Sequence, residues 1–454
     1  MSIDLRSRSP FSLFAASVFL IACIWVIFNT RRWNNREVLQ WDSDGYYLYL
    51  PATLIHHDLL HLGFLDSIPA TGKNGAYRFG QGAFLLPSTG KKCNKYTMGV
   101  ALFELPFFLV AHAWCVYDIA SDPADGYSPP YHLAVAFASA MWAWIGLLVL
   151  ARFLRRYLND IPTALCLFTI GLGTNLFFYS SYALGMGHPF LFFLCALLIE
   201  RTDQWYSSPG WRSATVIGAC IGLAAITRPT CILFAIIPLF WGLKDKHIGR
   251  GSFTIIQANH SHVLLALATA AVCVLPQLLF WKATSGHYLF YSYCEEGFDF
   301  LHPHIFEGLA GFRKGWLVYS PLMVLGIAGL GSMSGKVGLR SYPWMALCFY
   351  ITFTYVTFSW RAWWYGGGFG SRVMIETIPL LALPMGLLVQ KVIDRGRIFR
   401  ALFCVIVLVG IGLNMFQQWQ YLHGIMHYEN MNRALYWQIF LAPSHEAAGI
   451  PLGH

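Results

Sequence analysis

Residues 11–28 read FSLFAASVFLIACIWVIF, an apolar run without a charged side chain. An α-helix of about 20 such residues crosses the hydrocarbon core of a bilayer. Arg6 and Arg8 precede the run, as basic residues precede a signal peptide, but the run is long and no small-residue cleavage motif follows it. We therefore predict an uncleaved membrane anchor near the start of the chain.

The composition of the whole chain agrees with this prediction. Of its 454 residues, 56% are hydrophobic and only 12% are charged, whereas soluble proteins carry about 25% charged residues. A water-soluble enzyme, a nucleic-acid-binding protein and a disordered scaffold are therefore excluded. The net charge of +9 is explained first by the basic residues that cytoplasmic loops of membrane proteins collect.

Ten further apolar runs follow the first, and every second connection between them is basic. Because basic loops stay on the cytoplasmic side, we predict eleven transmembrane helices, with the N-terminus inside and the C-terminus outside. The chain, 1–454, is then a single all-α polytopic membrane domain with an outer tail, 418–454. The predicted spans are 11–28, 131–151, 162–180, 189–204, 213–227, 229–243, 262–281, 316–332, 343–360, 373–389 and 400–417. The basic residues assigned to the inner side are Arg6, Arg8, Arg152, Arg155, Arg156, Arg201, Arg212, Lys244, Lys246, Arg250, Lys336, Arg340, Lys391, Arg395, Arg397 and Arg400.

The apolar run 97–117 does not fit this alternation, because both of its flanks would be misplaced if it were a span. It also carries Glu104 and Pro106. We predict a juxtamembrane helix that lies in or dips into the outer interface. The segment 29–130 is then a large outer loop with juxtamembrane helices, and loops of this length are usually functional.

Several basic residues lie on the predicted outer side, against the usual distribution. They are Arg228, Lys282, Arg313, Lys314, Arg361, Arg372 and Arg433. Cations at membrane depth are costly and usually mark a substrate path, and several beside the glycine-rich turn 366–370 suit an anionic lipid headgroup. The candidate phosphate ligands are Arg228, Arg313, Lys314, Arg361 and Arg372. Snorkelling to lipid phosphates explains any single one of them equally well.

The acidic counterpart is the stretch 41–52, WDSDGYYLYLPA, which follows the first span. Asp42 and Asp44 are candidates for a general base or for ligands of a divalent cation. A helix cap is the structural alternative. Tyr46 and Tyr47 are candidates for the wall of the same cavity. The sequence requires no cofactor and leaves a divalent metal open.

Five further residues are candidates for an acceptor-side cavity. Glu104 is either the buried partner of a cation or part of an acceptor pocket. His188 lies at a predicted outer turn, where it lines the cavity or is a solvated histidine. Glu296 belongs to an acidic and aromatic outer run that binds an acceptor sugar or forms a solvated loop. Trp364 and Tyr365 stand beside the glycine-rich turn as aromatic walls.

In order and sidedness, these features resemble the GT-C superfamily of integral-membrane glycosyltransferases. The nearest likeness is the branch of dolichyl-phosphate-mannose–protein mannosyltransferases and bacterial aminoarabinose lipid A transferases. The resemblance covers most of the chain through Trp41–Ala52, Tyr96–Pro106, Gly173–Pro189, Gly222–Thr230, Phe312–Pro321 and Trp360–Arg372.

The resemblance implies a polyprenyl-phosphate sugar donor and transfer, usually with inversion, on the non-cytoplasmic face. The family's first-loop aspartate matches Asp42 best, because the spacing to a tyrosine then falls on Tyr46; Asp44 is the alternative. Ser43 replaces the second acid of the usual pair, and residues 96–99 replace the Lys-Pro-Pro motif of the mannosyltransferases. The acceptor is left open as a glycan, a lipid or a protein. The expected location is a bacterial inner membrane, with the site facing the periplasm.

The predicted reaction follows from these residues. Asp42 accepts a proton from an acceptor hydroxyl, or orients it, for attack on C1 of the sugar. Arg228, Arg313 or Lys314, and Arg372 would stabilise the departing lipid phosphate. A flippase or transporter of lipid-linked sugars would share the cationic cavity without needing a base. A polymerase or ligase with a diphosphate-linked donor is the nearest enzymatic alternative, and a non-enzymatic scaffold would not explain the clustered charges.

Overall fold

The computed structural model describes residues 9–72, 75–119, 121–241, 252–333 and 341–449. Regular structure in these ranges is helical apart from one antiparallel pair of strands, β1 Ala83–Leu86 and β2 Lys91–Asn94. The helices are α1 Pro10–Thr30, α2 Asp42–Tyr47, α3 Tyr49–Leu54, α4 Gly99–Val116, α5 Pro129–Leu154, α6 Asp160–Leu172, α7 Leu176–Ser181, α8 Gly187–Ser207, α9 Trp211–Thr227, α10 Ile236–Phe240, α11 Ser252–Ala258, α12 His260–Ser285, α13 Ile305–Ala310, α14 Trp316–Tyr319, α15 Met323–Leu330, α16 Tyr342–Phe358, α17 Ile378–Asp394, α18 Arg397–Leu422 and α19 Arg433–Ile439. Short 3₁₀-helices cover Gly63–Ser67, Pro229–Ala235, Gly331–Met333 and Arg372–Thr377.

Six helical units in the described ranges are long and apolar enough to cross a membrane. They are α1, α4, α5, α12, the unit Arg372–Asp394 and α18. Shorter apolar units lie at Asp160–Leu172, Trp211–Thr227, Pro229–Phe240 and Met323–Met333. These helices are compatible with a membrane protein, and the mostly helical fold agrees with the prediction from the sequence. The number of eleven spans and their sidedness remain predictions.

The run 97–117 forms α4, which packs lengthwise against the first half of α5. Cys115 Sγ lies 3.9 Å from Ser128 Oγ, just before α5 begins. The Trp142 indole N–H, midway along α5, donates to the Phe103 carbonyl oxygen at 2.9 Å. Because α4 is also one of the six units of spanning length, its placement in or near an interface remains a prediction.

The prediction of one continuous helix is wrong for two of the apolar runs. These runs are 162–180 and 316–332. Gly173 caps α6, and α7 begins only at Leu176. Pro321 lies between α14 and α15. Proline lacks an N–H group and disfavours helical geometry in the residue before it, so apolar character alone overestimated the helix in 316–332. The run 229–243 contains one helical unit, Pro229–Phe240, which begins as a 3₁₀-helix.

The two ends of the bundle are defined by contacts between distant helices. The Asp160 carboxylate accepts hydrogen bonds from the N–H groups of Phe11 and Ser12 at 2.9 and 3.3 Å, which brings the start of α1 to the start of α6. Arg156 pairs with Asp203 near the end of α8 at 2.7 Å. The start of α1 and the ends of α5 and α8 therefore share one end. Several basic residues assigned to that side lie outside the described residues: Arg6, Arg8, Lys244, Lys246, Arg250, Lys336 and Arg340.

The part of segment 29–130 that precedes α4 lies at the opposite end of the bundle. Its β-hairpin contacts the end of α12, where the Thr89 hydroxyl donates to the Thr284 carbonyl oxygen at 2.6 Å. The Asn94 amide donates to the Gly45 carbonyl oxygen in α2 at 2.7 Å. Gly45 has to be a glycine, since a Cβ there would lie 2.1 Å from the Tyr96 ring. These contacts fix α2 against the bundle.

Candidate functional site

Asp42 is the first residue of α2, and the chain is turned sharply just before it. Trp41 has a φ of +56°, a conformation that costs about 1–2 kcal/mol for a residue with a side chain. Tertiary contacts hold it there, because the Trp41 N–H donates to the Tyr77 hydroxyl oxygen at 2.9 Å. The Asp42 side chain is therefore aimed by the fold of segment 29–130 and not by helix propensity.

The Asp42 carboxylate binds two groups from distant parts of the chain. The Tyr96 hydroxyl donates to Oδ1 at 2.6 Å. The Arg372 guanidinium donates to Oδ2 at 2.7 Å, across 330 residues of sequence. Asp42 and Arg372 remain 25% and 17% exposed, so this ion pair reaches open space.

The electrostatic surroundings keep Asp42 ionised. Burial on its own raises the pKa of Asp42, but the charge of Arg372 and the hydrogen bonds from Tyr96 and Arg372 outweigh burial, and the pKa lies below its usual value. An ionised carboxylate with a low pKa is a good hydrogen-bond acceptor and a weak proton acceptor.

A second ion pair involves Glu376, which follows Arg372 by four residues in the chain. Arg228 Nη1 donates to Glu376 Oε1 at 3.3 Å, and His188 Nδ1 lies 3.1 Å from Glu376 Oε2. The guanidinium of Arg228 also lies 4.6 Å from the centre of the Tyr365 ring. Glu376 is fully buried, so its two carboxylate oxygens hold Arg228 and His188 from the protein interior.

Two cavities meet at the Asp42–Arg372 pair. Cavity A has a volume of about 500 Å³ and cavity B of about 630 Å³. Both are lined by Asp42, Met186, Tyr365, Gly366 and Arg372. Cavity A is also lined by Tyr46, Lys95, Tyr96, His188, Arg228, Trp281, Phe290, Glu296, Phe298, Trp360, Trp364 and Glu429. Cavity B is also lined by Arg32, Glu37, Gln40, Trp41, Tyr179, Tyr182, Gly367, Gly368, Tyr421 and Tyr428.

Asp44 occupies a different environment from Asp42, although the two are neighbours in the sequence. It is fully buried, and its Oδ2 accepts hydrogen bonds from the Tyr77 hydroxyl at 2.9 Å and the Gly80 N–H at 2.6 Å. Burial raises the pKa of Asp44 to about 7, against the lowering effect of these hydrogen bonds. Asp44 lines neither cavity, so the geometry favours Asp42 over Asp44 as the residue that meets a ligand.

Three of the five predicted phosphate ligands do not line either cavity. Arg313 stacks on the Trp364 ring at 3.8 Å and donates to the Glu429 carbonyl oxygen at 3.1 Å. Lys314 is buried and its ammonium group donates to the carbonyl oxygens of Gly368 and Tyr428. Burial, helped by the charge of Arg372, lowers the pKa of Lys314 to about 7.

Arg361, the third of these, is exposed, and its backbone N–H donates to the Gly297 carbonyl oxygen at 3.0 Å. Arg228 and Arg372 are the two predicted ligands that the structure brings to cavity A.

The residues predicted to form the wall of the cavity also divide into those that line it and those that do not. Tyr46 lines cavity A, whereas Tyr47 is buried and donates its hydroxyl to the Gly126 carbonyl oxygen at 2.5 Å. Glu104 is buried in α4, and neither of its carboxylate oxygens has a partner among the described residues. It is thus neither the ion-pair partner of a described cation nor a wall of these two cavities. His188, Glu296, Trp364 and Tyr365 all line cavity A.

Three residues of the site were missed by reasoning from the sequence. Glu376 was absorbed into the apolar run 373–389, although it is a charged residue only four positions after Arg372. Tyr96 was noted only as part of a motif that departs from the family pattern. Lys95, which forms an ion pair with Glu296, carried no signal because its partner is 201 residues away.

The described residues contain no group of three His, Cys, Asp or Glu side chains that could share a metal ion. Comparison of the sequence with protein-family models and with curated proteins gives no match. The residues of the site are therefore the basis on which a function is proposed.

Proposed function

We propose that this protein is a membrane glycosyltransferase that moves a sugar from a polyprenyl-phosphate donor to an acceptor hydroxyl, with inversion at C1. One observation carries the proposal. Asp42 and Arg372, which the sequence places at opposite parts of the chain, meet at 2.7 Å on the wall common to two cavities. A carboxylate and a cation at the junction of two chambers are what a transfer between two bound molecules requires.

Cavity A has the chemistry of a donor site. Arg228 and Arg372 offer guanidinium groups to a phosphate, and bidentate arginine contacts to phosphate are strong and directional. Trp281, Phe290 and Phe298 add apolar surface beside them, which suits the first units of an isoprenoid chain. Cavity B is lined largely by aromatic side chains, with Arg32 and Glu37 beside them, and suits an acceptor whose hydroxyl group reaches the wall shared with cavity A at Asp42.

The two charged groups have separate roles in the proposed reaction. Arg372 and Arg228 stabilise the charge that develops on the departing lipid phosphate, and one such preorganised donor contributes about 3–4 kcal/mol. Asp42 accepts a hydrogen bond from the attacking hydroxyl and orients its lone pair toward C1. The lipid donor carries the energy of the reaction, so no nucleotide is consumed.

The proposed topology places this chemistry outside the cytoplasm. Eleven spans with the N-terminus inside put Asp42, Arg228 and Arg372 on the outer leaflet of a bacterial inner membrane, facing the periplasm. The common end of the bundle on which the three residues meet supports this arrangement, because each follows or begins a predicted span on the same side.

The experiment is transfer by purified protein in lipid nanodiscs. A panel of polyprenyl-phosphate sugars labelled in the sugar is incubated with glycolipids extracted from a bacterial membrane, and transferred label and released polyprenyl phosphate are measured together. We expect equal amounts of both, and inhibition by polyprenyl monophosphate. Stronger inhibition by the diphosphate would favour a diphosphate-linked donor. Movement of the labelled lipid between leaflets without a glycosidic product would contradict the proposal and favour a flippase.

A further inference from the structure

His188 lies at the start of α8 and presents its ring to cavity A. Its side chain is only 6% exposed, so the ring is held in place. Nδ1 lies 3.1 Å from Glu376 Oε2. Among the described residues this is the hydrogen bond that the ring makes, and Nε2 is the nitrogen that remains for the cavity.

The charges around His188 favour a neutral ring that can gain a proton. Glu376 fixes the tautomer with the proton on Nδ1, which leaves a lone pair on Nε2. Burial lowers the pKa of the His188 ring, and the charges of Arg372 and of Arg228, which pairs with the other oxygen of Glu376, lower it further. Tyr179 packs edge-on against it at 5.3 Å. When the ring gains a proton, the fully buried carboxylate of Glu376 stabilises the imidazolium.

Asp42 is poorly suited to take the proton in the same step. Both of its oxygens accept strong hydrogen bonds, from Tyr96 and Arg372, and its pKa lies below the usual value. Nε2 of His188, in contrast, makes no hydrogen bond to a described residue, so no such bond has to break before it accepts a proton.

We propose that His188 is the general base of the transfer, with Glu376 as its positioning residue, and that Asp42 orients the nucleophile. This inference rests on the proposed function. The acceptor oxygen forms a bond to C1 as the bond between C1 and the phosphate oxygen breaks, and the acceptor proton passes to His188 Nε2. The electron pair of the broken bond leaves with the lipid phosphate. The imidazolium then returns its proton to water or to the released phosphate.

The first test replaces the base while keeping its size and polarity. His188→Gln should lower kcat by about 100-fold or more, as expected when a general base is lost, and leave the Kd for polyprenyl monophosphate within about twofold. Imidazole added to His188→Ala should restore part of the activity. The matched control is His112→Gln, because His112 bonds to the Tyr131 hydroxyl at 2.8 Å in α4 and lines neither cavity.

The second test uses Glu376→Gln and the pH profile. The wild-type kcat should fall on the acidic side as the base gains a proton, and this limb should disappear in His188→Gln. Glu376→Gln keeps a partner for Nδ1 but removes the charge, so kcat should fall about tenfold or more while the protein still folds.

The outcomes separate the two proposals. A His188→Gln variant that transfers sugar within about threefold of the wild-type rate would overturn the role of His188 as the base. The proposed glycosyltransferase function would not be affected by that result. Loss of polyprenyl monophosphate binding in step with activity, or no rescue by imidazole in a folded His188→Ala protein, would also overturn it. A wild-type protein without transfer to any acceptor would remove both proposals.

Discussion

The two ends of α8 each carry a cluster of ion pairs, and the two clusters are built differently. At the end near Ser207, Glu200 binds Arg152 at 3.0 Å and Arg156 at 3.2 Å, and Asp203 binds Arg156 at 2.7 Å. The partners are 44–48 residues apart and belong to neighbouring helices. At the end near Gly187, the pairs around Glu376 and Asp42 span 148–330 residues.

The difference separates ion pairs that hold helices together from ion pairs that form a site. In the cluster of Glu200 and Asp203, three arginines share two carboxylates. The Tyr157 hydroxyl donates to the remaining oxygen, Asp203 Oδ1, at 2.5 Å. A groove of about 490 Å³ touches only one side of it. In the cluster of Asp42 and Glu376, each carboxylate has one arginine, and both arginines face a cavity. An arginine that pairs with one carboxylate at the wall of a cavity can exchange that partner for a phosphate in the cavity.

The largest effect should come from Asp42→Asn, which tests this division directly. The substitution removes the charge that pairs with Arg372 and the acceptor that orients the nucleophile, and we expect a loss of about 10³-fold or more in transfer. Folding and polyprenyl monophosphate binding should persist. The control is Asp66→Asn in the same segment, where the side chain is exposed. Turnover of Asp42→Asn close to that of the wild type would remove Asp42 from the reaction.

At the other end of α8, the expected effect is on stability and not on activity. Arg156→Ala leaves Glu200 and Asp203 with one partner fewer in a buried setting, which should cost about 3 kcal/mol of unfolding free energy. Titration with sodium dodecyl sulfate in mixed micelles measures it. Arg212→Ala, an exposed arginine at the same end, should change little. A fall in transfer per folded molecule in Arg156→Ala would show that this cluster also serves the site.

Much of the fold was accessible from the sequence because lipid imposes one strong rule. A helix must satisfy its own backbone in hydrocarbon, so a long apolar run predicts a helix. The runs that became α1, α5, α12 and α18 confirm this. The rule says nothing about a proline inside an apolar run, which is why the predicted span 316–332 is divided into α14 and α15.

The site was only partly accessible, for a different reason. Asp42, Arg228 and Arg372 stood out because charged residues near span ends are rare and costly. Lys314 looked the same in the sequence, but its side chain turns inward to carbonyl oxygens. Glu376 stayed hidden because its pairing with Arg228 depends on tertiary structure. The charge marks a candidate, and only the packing decides which of two candidates faces a cavity.

The pH dependence of the free energy of unfolding tests the protonation of Asp44. The folded state raises the pKa of Asp44 to about 7, above the unfolded value of about 3.9. Between these values the folded state binds a proton that the unfolded state has lost, so stability falls as pH rises. From pH 5 to 6.5 this amounts to about 2 kcal/mol at about 1.4 kcal/mol per unit. Asp44→Asn should flatten the dependence and Asp66→Asn should not. An unchanged slope in Asp44→Asn would exclude a proton on Asp44 in the folded state.

The smallest of these effects should be the loss of one cation from cavity A. Arg372→Ala should weaken polyprenyl monophosphate binding about tenfold, because a hydrogen bond to a charged group contributes about 1.5 kcal/mol. Arg433→Ala is the control, since Arg433 is exposed and lines neither cavity. Arg313→Ala should resemble the control, because its guanidinium stacks on Trp364 and bonds to the Glu429 backbone. If Arg313→Ala weakened binding as much as Arg372→Ala, the phosphate would have to lie on the other side of Trp364, and the distinction between exchangeable and structural arginines at this end of α8 would fail.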